Sequence, residues 1–283
     1  MHTASFSRRI ALVCATTLIA GALGSRAVYG EPKPLWEFGL GVGAVLFTDY
    51  RGADTTHVYP VPVPVLAYRG KFLKADRNGL RGRLFNQERV ELNISVSATT
   101  PVRNNSARHG MPDLRPTVEI GPVLELHLWR SKQQRLKFDV RLPARAAFTI
   151  ESTPRAIGWS FAPHLNVDID GVAGLPGWNL GLLTGPLFAD HRYEDYFYSV
   201  AAQFAAADRP AYQARGGYAG TELLAALSKR YPSHWVGAYA RYDTLSGASF
   251  AASPLVKRSG SWSAGVGIAW IIRQSSRLVE AQD

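Results

Sequence analysis

From Ile157 onward, the stretch AIGWSFAPHLNVDID (156–170) is apolar at every second residue: Ile157, Trp159, Phe161, Pro163, Leu165, Val167 and Ile169. Gly158, Ser160, Ala162, His164, Asn166, Asp168 and Asp170 stand between them. A period of two places successive side chains on opposite faces of a β-strand, so the segment has one greasy and one polar face. The same alternation returns along the chain. Trp36, Phe38, Leu40, Val42 and Ala44 alternate with Glu37, Gly39, Gly41 and Gly43. Val90, Leu92, Ile94, Val96 and Ala98 alternate with Glu91, Asn93, Ser95 and Ser97. TVEIGPVLELHL (117–128), LKFDVRL (136–142) and SWSAGVGIAWII (261–272) repeat the pattern. Weaker strands are expected at 57–69, 178–189, 218–230 and 235–245. Segment 71–85 reads as two short strands joined at Asn78-Gly79, a hairpin signal, or as one irregular connection.

Such strands bury the greasy face in a soluble sandwich and turn it to lipid in an outer-membrane barrel. Two features favour the barrel. Residues 1–30 read as a secretory signal: Arg8 and Arg9 precede an apolar run over 10–23, followed by small residues around a cleavage point at about 27–30. The run is shorter than the ~20 residues of a spanning helix. Loop lengths also sort by side. Long connections at 99–114, 190–217 and 246–259 fall on one side, and short ones near 130–134, 170–177 and 231–234 on the other. This sorting needs an even strand number. The expectation is therefore an all-β chain: an antiparallel up-and-down transmembrane β-barrel of the bacterial outer membrane over 31–272. It has twelve strands if 71–85 supplies two, and ten if it supplies none. A polar tail, 273–283, follows. Ile157 to Ile169 then face lipid. Trp36, Trp129, Trp178, Trp235 and Trp270 fall near one interface, Trp159 and Trp262 near the other. Pro60, Pro62, Pro64, Pro122 and Pro163 cannot donate to a ladder and predict bulges or interrupted pairing.

The one cysteine, Cys14, lies in the signal segment, which excludes disulfides and thiol chemistry from the rest. The net charge of +10 is spread along the chain rather than concentrated in runs, and with secretion it argues against nucleic acid. Anionic envelope surfaces such as lipopolysaccharide are the alternative partner. Catalysis is not expected. Ser160, His164 and Asp168 share a face, but residues four apart along a strand are ~13 Å apart at ~3.3 Å per residue. No G-x-S-x-G occurs. The seven histidines show no ligand spacing, and no metal or cofactor is expected. The inward charges, Glu37, Glu91, Glu119, Glu125, Lys137 and Arg141 with His164, Asp168 and Arg241, read as a neutralising lumen network or as the lining of a small pore. HRYEDYFYSV (191–200) places Tyr193, Tyr196 and Tyr198 in the longest outer loop, where they cover the mouth, bind a glycan or pack on themselves.

The blocks PLWEFGLGVGA, DYRGAD, FLKADRNGLRGRLF, RHGMPDLRPTVEIGPVLELHLW, GPLFADHRYEDYFYSV, RPAYQARGGYAG and YDTLSGASFAASPLV resemble, in order and over about residues 34–272, the MipA/OmpV family of outer-membrane proteins. The resemblance implies an outer-membrane barrel. It also implies a scaffold that joins a periplasmic lytic transglycosylase to a peptidoglycan synthase, with porin-like, adhesin and stress-related roles as alternatives. Barrels of this kind usually end on an aromatic residue, whereas here Trp270-Ile271-Ile272 is followed by the polar tail. A scaffold contact would use the periplasmic rim: the 170–177 turn and a basic ring of Arg69, Lys71, Arg130, Lys132, Arg135, Lys229 and Arg230.

Overall fold

A computed structural model describes residues 32–69, 73–76, 79–82, 85–87, 89–131, 135–172 and 174–280. The signal segment 1–30, Lys71, Asn78 and Lys132 lie outside the described residues. In chain order the strands are β1 (Pro32–Pro34), β2 (Trp36–Thr48), β3 (Thr56–Arg69), β4 (Leu73–Asp76), β5 (Gly79–Gly82), β6 (Phe85–Gln87), β7 (Val90–Thr99) and β8 (Thr117–Arg130). They continue with β9 (Leu136–Thr149), β10 (Ala156–Phe161), β11 (His164–Asp170), β12 (Trp178–Ala189), β13 (Gly217–Arg230), β14 (His234–Thr244), β15 (Gly260–Gln274) and β16 (Leu278–Glu280). One α-helix, α1 (His191–Tyr198), lies between β12 and β13. No helix among the described residues is long and apolar enough to cross a membrane.

Among the described residues every pairing between these strands is antiparallel, and apart from β1 and β16 they form one sheet in the order β5-β4-β3-β2-β15-β14-β13-β12-β10-β9-β8-β7-β6, with β11 beside β9 and β12. The sheet curls on itself. Arg230 on β13 reaches Glu37 on β2, two strands away from its own neighbour, at 2.6 Å. β5, at one end of the order, lies against β7 near the other. The three long connections 100–116, 190–216 and 245–259 gather at one end of the sheet with 49–55 and 150–155, and shorter turns such as 171–177 and 231–233 lie at the other.

The curl is inside out. On the outer face Leu40, Val42, Val58, Leu66, Ile120, Leu165, Leu223 and Val266 are exposed. On the inner face Glu37, Glu91, Glu119, Glu125, Lys137 and Asp139 are buried. Water stabilises the opposite arrangement, so this surface suits an apolar surrounding.

Several sequence expectations are corrected. Ile157 does not face outward: the register shifts between Ala156 and Gly158, and Ile157 is buried in a core at the long-loop end. Trp235 is buried on the inner face beneath Arg230, whose guanidinium lies 5.2 Å from its ring centre. The loop 190–217 carries α1. The region after 272 is not simply a tail, because β15 continues to Gln274 and β16 pairs with β1, Pro34 opposite Leu278. The prolines behave as their chemistry requires. Pro163 falls in the break between β10 and β11, where Ala162 N–H turns to the carbonyl of Pro143 at 3.2 Å. Pro122 falls in a gap of the β8–β9 ladder, between Ile120↔Ala146 and Val123↔Pro143. Pro186 sits at a register shift on β12. These breaks cross four neighbouring strands.

Candidate functional site

The inner side of the curled sheet and the structure over its long-loop end are the places where function can reside. Odd residues of β7, β8 and β9 point inward, and the register decides which charges meet. Glu125 is opposite Arg141, and the pair is bonded at 3.0 Å. His127 is opposite Asp139, its Nδ1 2.7 Å from a carboxylate oxygen, with Glu91 3.8 Å from Nε2. Lys137 lies 3.7 Å from Asp170. Asn166 donates to Asp168 at 3.0 Å. Arg145 donates to Ser95 at 2.9 Å and stands 4.0 Å from Glu119. Glu119 also accepts from Ser160 at 2.9 Å and from the Tyr193 hydroxyl at 2.7 Å. It thus ties the sheet to α1. Across the interior, Arg241 bridges Glu222 and Asp243 at 2.9 and 2.7 Å.

The expected lumen residues Glu37, Glu119, Glu125, Lys137 and Arg141 therefore hold opposite charges. Glu91 faces His127. Asp168 is held by Asn166, and His164 bonds the carbonyl of Ala162 at 2.8 Å. Ser160 is turned to Glu119, not to His164. Sequence reasoning missed His127 and Asp139 as a pair. The ligand atoms of Glu125, His127 and Asp139 lie within 4.8 Å of one another, close enough to hold a cation. The short connection after β8 was the available signal, because a short hairpin sets which residues face each other. Asn93 was missed too. It is fully buried, and neither its amide oxygen nor its nitrogen has a hydrogen-bond partner among the described residues.

The inner side of β2, β3 and β13–β15 is different. Val45, Val61, Val63, Ala226, Tyr239 and Ala269 form an apolar cluster. Gly265 is required there, since a Cβ would meet the Tyr239 ring at 2.5 Å.

A packed plug covers the long-loop end. Tyr50, Val102, Leu114, Phe197, Tyr198, Phe250 and Leu255, from four separate connections, share one core. Tyr198 stacks on Phe250 with ring centres 3.7 Å apart. Its hydroxyl donates to the Arg51 carbonyl at 2.9 Å, and its own carbonyl accepts from Ser253 at 2.6 Å. Arg209 gathers the carbonyls of Ala107, His109 and Phe204 at 2.8–3.1 Å. Asp190 caps α1, accepting from the backbone of Tyr193 at 2.9 Å and of Trp159 at 3.1 Å. Gly158, at φ +127°, allows this approach: a Cβ there would strike the Asp190 carboxylate and Tyr193 backbone. Glu194, on α1, is fully buried, and neither carboxylate oxygen has a hydrogen-bond partner among the described residues. Burial pushes its carboxyl up to about 8, against the pull of Arg51. Burial also raises Tyr50 to about 12.

Of the three readings open for the loop tyrosines, packing is the one found: the rings of Tyr193 and Tyr198 are buried in the plug, out of reach of an outside ligand, and Tyr196 is half-buried, bonded to Arg115. One rim expectation is corrected. Arg230 is not a free rim cation, because it is committed to Glu37. Lys229 leans over the rings of Tyr231 and Trp178, at 5.0 and 6.0 Å. Arg130 and Arg135 remain exposed at the short-turn end.

Comparison with known proteins places the chain in context. A family model described as MltA-interacting protein MipA matches residues 40–272. Among solved structures, the chain is similar to the COG4313 outer membrane channel from Pseudomonas putida F1 at 13% identity and a TM-score of 0.46, covering 88% of this chain and 100% of that one. A bacterial polysaccharide outer membrane secretin is similar at 8% identity and a TM-score of 0.42, with 84% and 99% covered. Outer membrane phospholipase A from Escherichia coli is similar at 13% identity and a TM-score of 0.32, with 90% and 97% covered. No curated protein matches.

Proposed function

The chain belongs to the MltA-interacting protein MipA family, and on that premise we propose that it is a closed β-barrel of the bacterial outer membrane that serves as a scaffold for periplasmic peptidoglycan-remodelling enzymes, a lytic transglycosylase and a synthase. The exposed apolar face and buried polar face support the membrane setting. The contact of β5 with β7 supports closure at the short-turn end, with β5 and β6 together acting as one of twelve strands. The plug then faces outward and the short turns face the periplasm. Residues 1–30 act as the export signal and are removed.

The observation that carries the scaffold reading is the filled interior. A transport role needs a route, and here the outer mouth holds a packed core while inward charges are neutralised in pairs. This disfavours the alternative of a general pore. It also favours a non-catalytic role: Ser160 bonds Glu119 instead of a histidine. An adhesin would present its tyrosines outward, and Tyr193 and Tyr198 are turned in.

What remains for a partner is the periplasmic rim. The turn 171–177 presents Leu175, which is exposed, between glycines with positive φ, Gly174 and Gly177. With Arg230 engaged, attraction of an acidic partner or peptidoglycan rests on Arg130, Arg135 and Lys229. Such a surface is below the ~1,200 Å² at the low end of stable complexes, so the contact is weak or depends on several proteins joining. The test is capture of a purified MltA-type transglycosylase by the barrel in detergent. Leu175→Asp, or shortening of the turn, should abolish capture while heat-dependent gel migration persists. Capture unchanged by both, or large stable conductance in planar bilayers, overturns this reading.

A further inference from the structure

Strand β3, THVYPVPVPVLAYR, is apolar on both faces through its middle. Val58, Pro60, Pro62, Pro64 and Leu66 point outward; Val61 and Val63 point inward and are buried. The prolines also decide what its edges can do. Each residue of an antiparallel strand turns its N–H and C=O to one side, and successive residues turn to opposite sides. β3 pairs with β2 without a register shift from Thr56↔Thr48 to Tyr68↔Trp36. Proline has no N–H to donate, so the ladder to β2 runs through Val61, Val63 and Val65. Pro60, Pro62 and Pro64 therefore turn their nitrogens and carbonyls to the other edge. That edge lacks three successive donors and cannot be zipped to a neighbouring strand at this level.

The topology agrees. Among the described residues, pairing on that edge is confined to Tyr68 and Arg69, opposite Ala75 and Lys74 of β4. Towards the long-loop end the plug closes over the gap, where Asn105 donates to Asp49 at 2.7 Å. The wall is thus interrupted below the plug and above the β4–β5 hairpin.

We propose that this edge is a lateral lipid site, in which an acyl chain of lipopolysaccharide lies along Pro60–Pro64 in place of a neighbouring strand. The proposal rests on the outer-membrane barrel reading above. An unpaired N–H in hydrocarbon costs several kcal/mol; the prolines remove these donors and leave only acceptors. The same loss excludes edge-to-edge pairing with a partner strand or a second copy. The carbonyls of Pro60, Pro62 and Pro64, which face no paired strand among the described residues, match the hydroxyl and amide donors on lipopolysaccharide acyl chains. The plug-side position of the gap places it in the leaflet that holds this lipid.

The experiment places a leucine-sized diazirine amino acid singly at positions 42, 63 and 226 and irradiates intact outer membranes. Val42 is the outward control, opposite Pro62 on β2. Ala226 is as buried as Val63 but lies on β13, which is paired on both sides. Position 63 should crosslink lipopolysaccharide several-fold above position 226 and approach position 42. Crosslinking no greater than at 226, or to phospholipid alone, overturns the proposal. Replacing Pro60, Pro62 and Pro64 together by valine restores the donors and should reduce crosslinking at 63; an unchanged yield also overturns it. A chain that gives no crosslink even at 42 and shows no heat-dependent gel migration instead refutes the membrane-barrel reading.

Discussion

The two halves of the interior solve the same problem by different means. Along β7–β11 many inward residues are charged, and these charges are held by polar partners. Along the middle of β2, β3 and β13–β15 they are valine, alanine, glycine and a tyrosine that simply pack, with the ion pairs Glu37–Arg230 and Glu222–Arg241–Asp243 at the two ends. A paired charge in a dry interior depends on its partner, since removal of one leaves the other uncompensated, at ~3–5 kcal/mol. A packed methyl depends on volume, and its loss costs less and is partly recovered by relaxation. The difference teaches that the polar half is the specific one and the apolar half the tolerant one. The gap at β3 lies beside the tolerant half.

Four measurements sharpen or break this contrast. Glu119→Ala should have the largest effect. It leaves Ser160 and Tyr193 without their acceptor and removes the carboxylate 4.0 Å from Arg145, and equilibrium unfolding in urea should show a loss of ~3–5 kcal/mol. A loss below that of an apolar-half variant would break the comparison.

Next is the pH dependence of the plug. Glu194 holds its proton in the folded chain up to about 8, against an ordinary value of 4.5. The unfolded chain binds fewer protons between these values, so stability is greatest below 4.5 and falls as pH rises through about 8. Proteolysis of the 190–217 segment should accelerate across that window, and Glu194→Gln should flatten the profile. An identical profile in both would assign the effect elsewhere.

Val63→Ala, in the apolar half, should cost about 1.5–3 kcal/mol in the same urea assay. The smallest effect is expected at the surface. Arg155 and Glu151 are bonded at 2.9 Å but solvated, and Arg155→Ala should leave the unfolding midpoint unchanged, because solvent screens such pairs. A clear shift would make that pair part of the plug.

Much of this was legible in the residues. The alternation in 36–48, 90–99, 117–130 and 261–272 marks strands because a pleated backbone alternates faces whatever surrounds it. Gly79, the described half of the Asn78-Gly79 signal, opens β5 opposite Asp76 of β4. Of the candidate site, the inward set was legible and its partners were not. Glu125 meets Arg141, and Glu37 meets Arg230, through register and curl, which alternation does not encode. Tyr193 and Tyr198 were visible as an aromatic run, but a run of aromatics does not say whether it faces a ligand or a core.

The sequence by itself determined the strands, their two-faced character, the sorting of loops by length and the places where proline must interrupt a ladder. These follow from local stereochemistry: side-chain period, missing N–H groups and the preferences of turns. Only the tertiary structure decided that Ile157 turns inward at the Gly158 bulge, that α1 drives Glu194 into a dry core, that Arg230 leaves the rim for Glu37, and that residues 278–280 pair with the start of the strand region. Each of these depends on which distant segment arrives alongside. That choice balances desolvation, packing and charge over the whole chain, so no short window of residues contains it.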